Sequence, residues 1–236
     1  RYPLWSRGLG DVYKRQLMDR LNELWPEFWK AALETLYMTS FALVLGGILG
    51  LAIGVILYVT RPGGLAQNRP VSVVANLAVN FFRPIPFVIF MAVAQPFARV
   101  VVGTGIGTTA GAFIIGLAAA FAIGRIVEQH LVSVSPGVIE AARAMGAGPW
   151  RILFTVAIPE SLGPLILGYT FIVVALIDMT AMAGLIGGGG LGAFAQIYGF
   201  RQFEPLVMWA AIVLIVVFVH LVQMLGTRLA RKIMRR

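Results

Sequence analysis

Five apolar runs, each about long enough to cross a bilayer as a helix, predict an all-α integral membrane protein with five transmembrane helices. Composition agrees. Of 236 residues, 59% are hydrophobic and 12% charged, with a mean hydropathy of +0.86, where a soluble domain carries about 25% charged residues. Runs such as FALVLGGILGLAIGVILYV, residues 41–59, also lack the apolar–polar alternation that the roughly ten-residue strands of a membrane barrel require.

Residues 1–30 mix charged, polar and aromatic side chains and carry no apolar core with a small-residue cleavage site, so they are not read as a secretory signal. Residues 1–17 are expected to be a non-native extension, with Met18 as the natural start. Residues 18–32 then form an extracytoplasmic, interfacial lead-in whose Trp25, Phe28 and Trp29 suit the headgroup region. A transmembrane domain follows over residues 33–223. Its first span, about 33–59, stops at the turn RPGG, residues 61–64, where Pro and paired Gly break a helix.

The next stretch is too long for one simple span and is interrupted by Arg83, Pro84 and Pro86. It divides into an interfacial elbow over 71–82, with Arg83 at headgroup level, and a second span over about 86–102 that begins where proline fits a first helical turn. The remaining spans are placed at about 108–127, 162–183 and 205–225, each bounded by glycine, proline or charge. Residues 224–236 form a basic cytoplasmic tail.

The charge pattern orients the chain. The tail RLARKIMRR holds five basic residues, which by the positive-inside rule puts the C-terminus in the cytoplasm and, with five spans, the N-terminus outside. Arg61, Arg69, Arg83, Arg125, Arg143 and Arg151 then fall inside, and Arg99 and Arg201 outside. The six basic residues before Lys30 and including it are the discordant group, which removal of residues 1–17 reduces to Arg20 and Lys30. The net charge of +9 thus reflects topology. No basic face with interleaved aromatics points to nucleic acid. There is no cysteine, and His130 and His220 lack metal-ligand spacing, so neither a metal centre nor thiol chemistry is expected.

Between the third and fourth spans lies a predicted cytoplasmic loop, residues 133–160. Ser135–Pro136 reads as an N-cap with proline at the first helical position, VIEAARAM is a strong helix former, Gly146 and Gly148 end it, and Pro149 begins a second short helix. Two short helices joined at a glycine turn make a rigid knob. Here Glu140, Ala141 and Ala142 are followed by three residues, Gly146, nine residues, and Val156-Ala157-Ile158-Pro159. This pattern resembles that of the permease subunits of type I ATP-binding-cassette importers, with Val and Ile at two positions where the family pattern has Ile and Leu.

The resemblance implies the type I importer permease fold with cytoplasmic coupling helices, in which Glu140 anchors, Ala141 and Ala142 permit close approach to an ATPase groove, and Gly146 turns the chain. The stretches NFFRPIPFVIFMAVAQPFARVVVGTGIGTTA, TLYMT, YVTRPG and TAMAGLIGGGGLG resemble the methionine-uptake branch. From about residue 33 to His220, that likeness implies import of L- or D-methionine, or else of another amino acid, a betaine or a phosphonate. It further implies a bacterial inner-membrane location, a homodimer, two copies of an ATPase subunit that holds ATP and Mg²⁺, and an extracytoplasmic substrate-binding protein. No cofactor is expected on this chain, which is not read as an enzyme.

Within the fourth span, Asp178 carries a carboxylate that costs at least ~2.5 kcal/mol at membrane depth unless paired or wetted. It is expected to face an interior cavity and to contact substrate or line the pathway. The alternatives are a hydrogen bond or ion pair between helices, or hydration near the outer surface. Met182 beside it reads as packing before it reads as thioether recognition. Gly187, Gly188, Gly189 and Gly190 have too little side chain to fix a helix and suggest a flexible gate or re-entrant turn, with a plain loop as the alternative. They lack the Lys-Ser/Thr of a phosphate cradle. His220 is expected to bond within the bundle. The rival classes are an ion-coupled secondary transporter, in which Asp178 couples the ion, and a membrane-embedded enzyme, for which no nucleophile, base and orienter combination stands out.

Overall fold

The computed structural model describes the backbone of residues 4–234 and the side chains of Arg20 and residues 22–234. The described chain is nearly all helix. Helix α1 (Leu4–Thr60) is followed by α2 (Arg69–Phe82), α3 (Phe87–Val102), α4 (Thr108–Val132), α5 (Pro136–Ala144), α6 (Pro149–Ile152), α7 (Ile158–Leu185), α8 (Gly190–Phe194) and α9 (Pro205–Met234). Wide π-helical turns at Leu153–Ala157 and Ala195–Phe200 join α6 to α7 and continue α8. Four helical stretches are long and apolar enough to cross a membrane, Asn22–Thr60, Thr108–Val132, Pro149–Leu185 and Pro205–Met234. The pair α2–α3, bent by 112°, makes a fifth if it counts as one broken span. The expectation about residues 1–17 concerns side chains that lie outside the described residues.

The core is built on α1 against α4. Gly46, Gly50 and Gly54 recur every four residues along α1, and a Cβ at Gly50 or Gly54 would stand 2.5 Å from the side chains of Ile123 or Val127. Small residues at this spacing let two backbones close together where no water drives helices to associate. Met38, Ile114, Ile123, Leu153 and Leu176 belong to the large buried cluster around this contact. A second, smaller cluster joins the start of α1 to α8 and α9 through Leu24, Phe28, Leu191, Phe194 and Val207.

Helix α2 is an inside-out amphipathic helix. Its polar residues Ser72 and Asn76 turn inward and Asn80 lies at the edge of the same face, where Arg125 of α4 donates to Asn76 at 3.2 Å and Asn80 at 2.9 Å and pairs with Glu128 at 2.6 Å. Val74, Leu77 and Phe81 point outward. That arrangement suits lipid and not water. The break between α2 and α3 falls at Arg83–Pro86, where the sequence divides the stretch. Phe82, just before it, stacks on Phe121 at 4.6 Å between ring centroids, halfway along α4.

Several helices run past the bounds expected for the spans. The first span has no break at residue 33 and runs through Pro26. The third extends past residue 127 to Val132, and the basic tail continues α9 to Met234. The second helix of the 133–160 loop is not separate: from Pro149 the chain stays helical to Leu185. The π turn at Leu153–Ala157 ends two residues before Pro159, whose missing N–H and ring do not fit a regular ladder.

Candidate functional site

Two regions at opposite ends of α7 hold the residues singled out in the sequence. At one end, α5 starts at Pro136 and is closed by Gly146, whose left-handed φ of +79° suits a residue without a Cβ. The Gly146 and Ala147 amides donate to the carbonyls of Arg143 and Ala142, at 2.9 and 3.1 Å. Arg143 donates through Nη2 to the Gly64 carbonyl at 3.1 Å, which fastens α5 to the turn after α1. Glu140 is exposed and lines a cleft of about 130 Å³ with Tyr58, Arg61 and Arg143. The Arg61 guanidinium lies 4.9 Å from the centre of the Tyr58 ring.

The two alanines do not share a face. Within the protomer Ala142 is buried and Ala141 is exposed, as the helical turn of about 100° between neighbours requires. Pro159 is exposed within the continuous helix and does not terminate a loop. Sequence reasoning missed the apolar edge of this region. Met145 is 81% exposed, and Trp150 and Phe154, both more than half exposed, stack at 6.3 Å. Their exposure beside charged Arg143 and Arg151 was readable from the loop sequence.

At the other end, the glycine turn proves to be fastened. The Gly188 amide donates to Ala183 O at 2.9 Å and the Gly107 amide to Gly187 O at 3.2 Å. The first two amides of α8 are taken by α1: Gly190 N–H donates to the Glu34 carboxylate at 2.7 Å and Leu191 N–H to Thr35 Oγ1 at 2.8 Å. Gly189 and Gly190 have φ near +78° and +79°, and a Cβ at Gly189 would lie 2.5 Å from Glu34 Oε2. The glycine string, expected as a flexible gate or re-entrant turn, is here a turn that needs glycine because α1 presses on it. Glu34 and Thr35 were missed by the sequence reading. The signal was an acidic residue inside an apolar stretch, LETLYMTS.

Arg20 ties the same end together, donating to Glu204 at 3.2 Å, to Gln202 at 2.6 Å and to Glu23 at 2.7 Å. The hydrogen bond to Glu23 raises the pKa of the Arg20 guanidinium above its ordinary value.

Asp178 does not enter a cavity of the single protomer. Its side chain is exposed, on the helical face that carries Leu167, Phe171 and Leu185, also exposed. No described residue forms a hydrogen bond or ion pair with it, so the helix-to-helix alternatives find no partner within the protomer. Met182 is half-buried one turn away. The structure does not bring Asp178 together with the glycine turn. His220 bonds to the carbonyl of Val216 at 2.8 Å, in its own helix, and is exposed.

With α5 projecting at one end and a fastened glycine turn at the other, the chain matches the family described as "Binding-protein-dependent transport system inner membrane component" over residues 46–235. The chain belongs to that family. Among its relatives, the "Probable D-methionine transport system permease protein MetI" of Vibrio cholerae is 37% identical over 206 residues, covering 87% of this chain and 92% of the relative. The "Methionine import system permease protein MetP" of Bacillus subtilis is 42% identical over 212 residues, covering 89% and 95%. A solved chain described as "Inward facing conformations of the MetNI methionine ABC transporter" superposes with a TM-score of 0.86 at 39% identity, over 90% of this chain and 98% of that one. An amino acid ABC transporter chain at 21% identity and a TM-score of 0.71 shares the fold. This inner-membrane component therefore has the type I importer permease fold anticipated from the 133–160 loop.

Proposed function

We propose that the chain is the permease subunit of an ATP-driven importer for methionine in the inner membrane, with its N-terminus outside and its C-terminus cytoplasmic. The observation that carries this reading is the projecting α5 with Gly146 at its end, flanked by the exposed Met145, Trp150 and Phe154. An apolar edge on a charged, membrane-external loop is a surface that a partner covers. The likeness to a chain of a methionine ABC transporter supports an ATPase as that partner, here taken in two copies that carry the ATP and Mg²⁺ chemistry. This chain performs no covalent step.

A second copy of the permease accounts for Asp178. An exposed carboxylate in a membrane span is costly against lipid, and two copies facing one another across a wet pathway would hydrate it. Asp178 and Met182 then line that pathway, and the turn 187–190 closes its outer end. Closure of the ATPase dimer drives the paired α5 helices together. The transmembrane helices respond as a bistable element whose balance the nucleotide state sets, and an extracytoplasmic binding protein delivers the cargo.

The deciding experiment is uptake of labelled L- and D-methionine by proteoliposomes that hold permease, ATPase and binding protein, with other amino acids as competitors. ATP-dependent uptake that unlabelled methionine suppresses is expected. Uptake without the ATPase would overturn the coupling, and indifference to methionine would overturn the cargo.

A further inference from the structure

The turn 187–190 is held locally by α7 through the Gly188 amide, but the first two amides of α8, which follow it, are held from α1. Glu34 and Thr35 are consecutive residues, and their side chains take the amides of Gly190 and Leu191, which are also consecutive. A helix's first amides have no partner within the helix, so whichever group accepts from them decides where the helix starts. Here that group is remote by 156 residues. A carboxylate accepting from a backbone amide forms one of the stronger classes of hydrogen bond.

Glu34 also lies where the two packed clusters of the protomer meet. Ala31 and Ala32, just before it, belong to the cluster of α8 and α9, and Met38, one turn later, belongs to the main core. The turn between α7 and α8 crosses the same boundary. It contains the glycines with left-handed φ at 187, 189 and 190, and Gly189 and Gly190 leave no room for a Cβ against Glu34, Thr35 and Met38. Glu34 thus contacts the turn between the two clusters at the point where α8 starts.

We propose that Glu34 is a positioning residue for transport: its carboxylate, with the Thr35 hydroxyl, holds the turn 187–190 against α1 in the inward-facing arrangement and so keeps the outer end of the pathway closed until nucleotide drives it open. This rests on the importer reading above. The assignment concerns how α1 and the turn are coupled, and does not make Glu34 a contact for substrate.

The test uses the complete transporter, with permease, ATPase and binding protein in nanodiscs or proteoliposomes. Glu34→Gln and Thr35→Val keep side-chain volume and guard against misfolding, Glu34→Ala removes the acceptor, and Glu27→Gln, at an exposed site on the same helix, is the control. Amide exchange at Gly190 and Leu191 reads the contact. Binding-protein-independent ATP hydrolysis and the ATP consumed per substrate imported read the gate. Glu34→Ala is expected to speed exchange at Gly190 by about tenfold, the factor for about 1.4 kcal/mol, at the upper end of the range for a typical hydrogen bond. It is also expected to raise hydrolysis without binding protein several-fold and to lower uptake, with Glu34→Gln and Thr35→Val intermediate.

Unchanged exchange in Glu34→Ala would remove the geometric basis. Faster exchange with coupling equal to that of Glu27→Gln would reduce Glu34 to a local cap and overturn the proposal. Absence of ATP-driven uptake in the unsubstituted transporter would instead count against the importer reading.

Discussion

Replacing Gly146 by alanine isolates the backbone from the surface it presents. Gly146 has φ +79°, and nothing lies within 4 Å of where its Cβ would be, so the substitution meets no steric neighbour. What it adds is the strain of an L-residue in the left-handed region, about 1–2 kcal/mol. If α5 must keep its present angle to dock, that strain lowers the docked population and weakens ATPase binding by about 5- to 30-fold. Gly148 supplies an internal control two residues away. It also has open space around its Cβ position, but its φ is −71°, so alanine there adds no left-handed strain; the gain through the unfolded chain is offset by the poorer capping of alanine at the N-cap of α6. Titration of the ATPase subunit against nanodisc-embedded permease, followed by fluorescence, gives both affinities. Equal affinities for Gly146→Ala and Gly148→Ala would refute the claim that the turn geometry sets docking.

Other perturbations follow from the packing and the charges. Gly50→Val puts a branched side chain against Ile123 and the Ala120 carbonyl and should cost about 1–3 kcal/mol as overpacking, seen as a lower thermal midpoint of purified permease. Arg125→Met strands Glu128, with side chains only 18% and 14% exposed in the pair. It should destabilise by about 3–5 kcal/mol, while Arg125→Met with Glu128→Leu recovers most of the loss, and thermal denaturation with both variants checks this. Asp178→Leu should leave ATPase co-purification intact and lower labelled-methionine uptake by tenfold or more. Uptake at the unsubstituted level would remove Asp178 from the pathway.

Apolar run length and helix punctuation carried the architecture in the sequence. Residues 136–144 became a helix where Ser135, Pro136 and Gly146 place its ends, and the elbow fell at Arg83–Pro86. Pro149 starts a helix as its position suggests, but that helix does not end before the fourth span: a π turn at Leu153–Ala157 carries it past Pro159 and Pro164, and a π turn has no composition of its own. Contacts between distant residues were hidden for a different reason. Glu34 and Gly190 meet only after α1 and α8 fold together, and Arg125 finds Asn76 and Asn80 across 49 and 45 residues. Asp178 was legible as unusual, but its exposure depends on a rotation about α7 that single-sequence periodicity in an all-apolar helix does not mark. Ala141 and Ala142 fit the motif equally well in sequence and diverge once wound.

The unbroken path from Pro149 to Leu185 has a mechanical consequence. Its 37 residues span about 55 Å, with the Trp150–Phe154 edge at one end and the glycine turn just past the other. Pivoted near its buried middle, such a rod converts a rotation of about 5° into a displacement of about 2–3 Å at each tip, in opposite senses. That is comparable to the reach of the hydrogen bonds at Gly190 and Leu191. If the Trp150–Phe154 tip is the one an ATPase pushes, the π turn at Leu153–Ala157 lies next to it, and the stiffness of that turn would set how much of the push arrives at the far end.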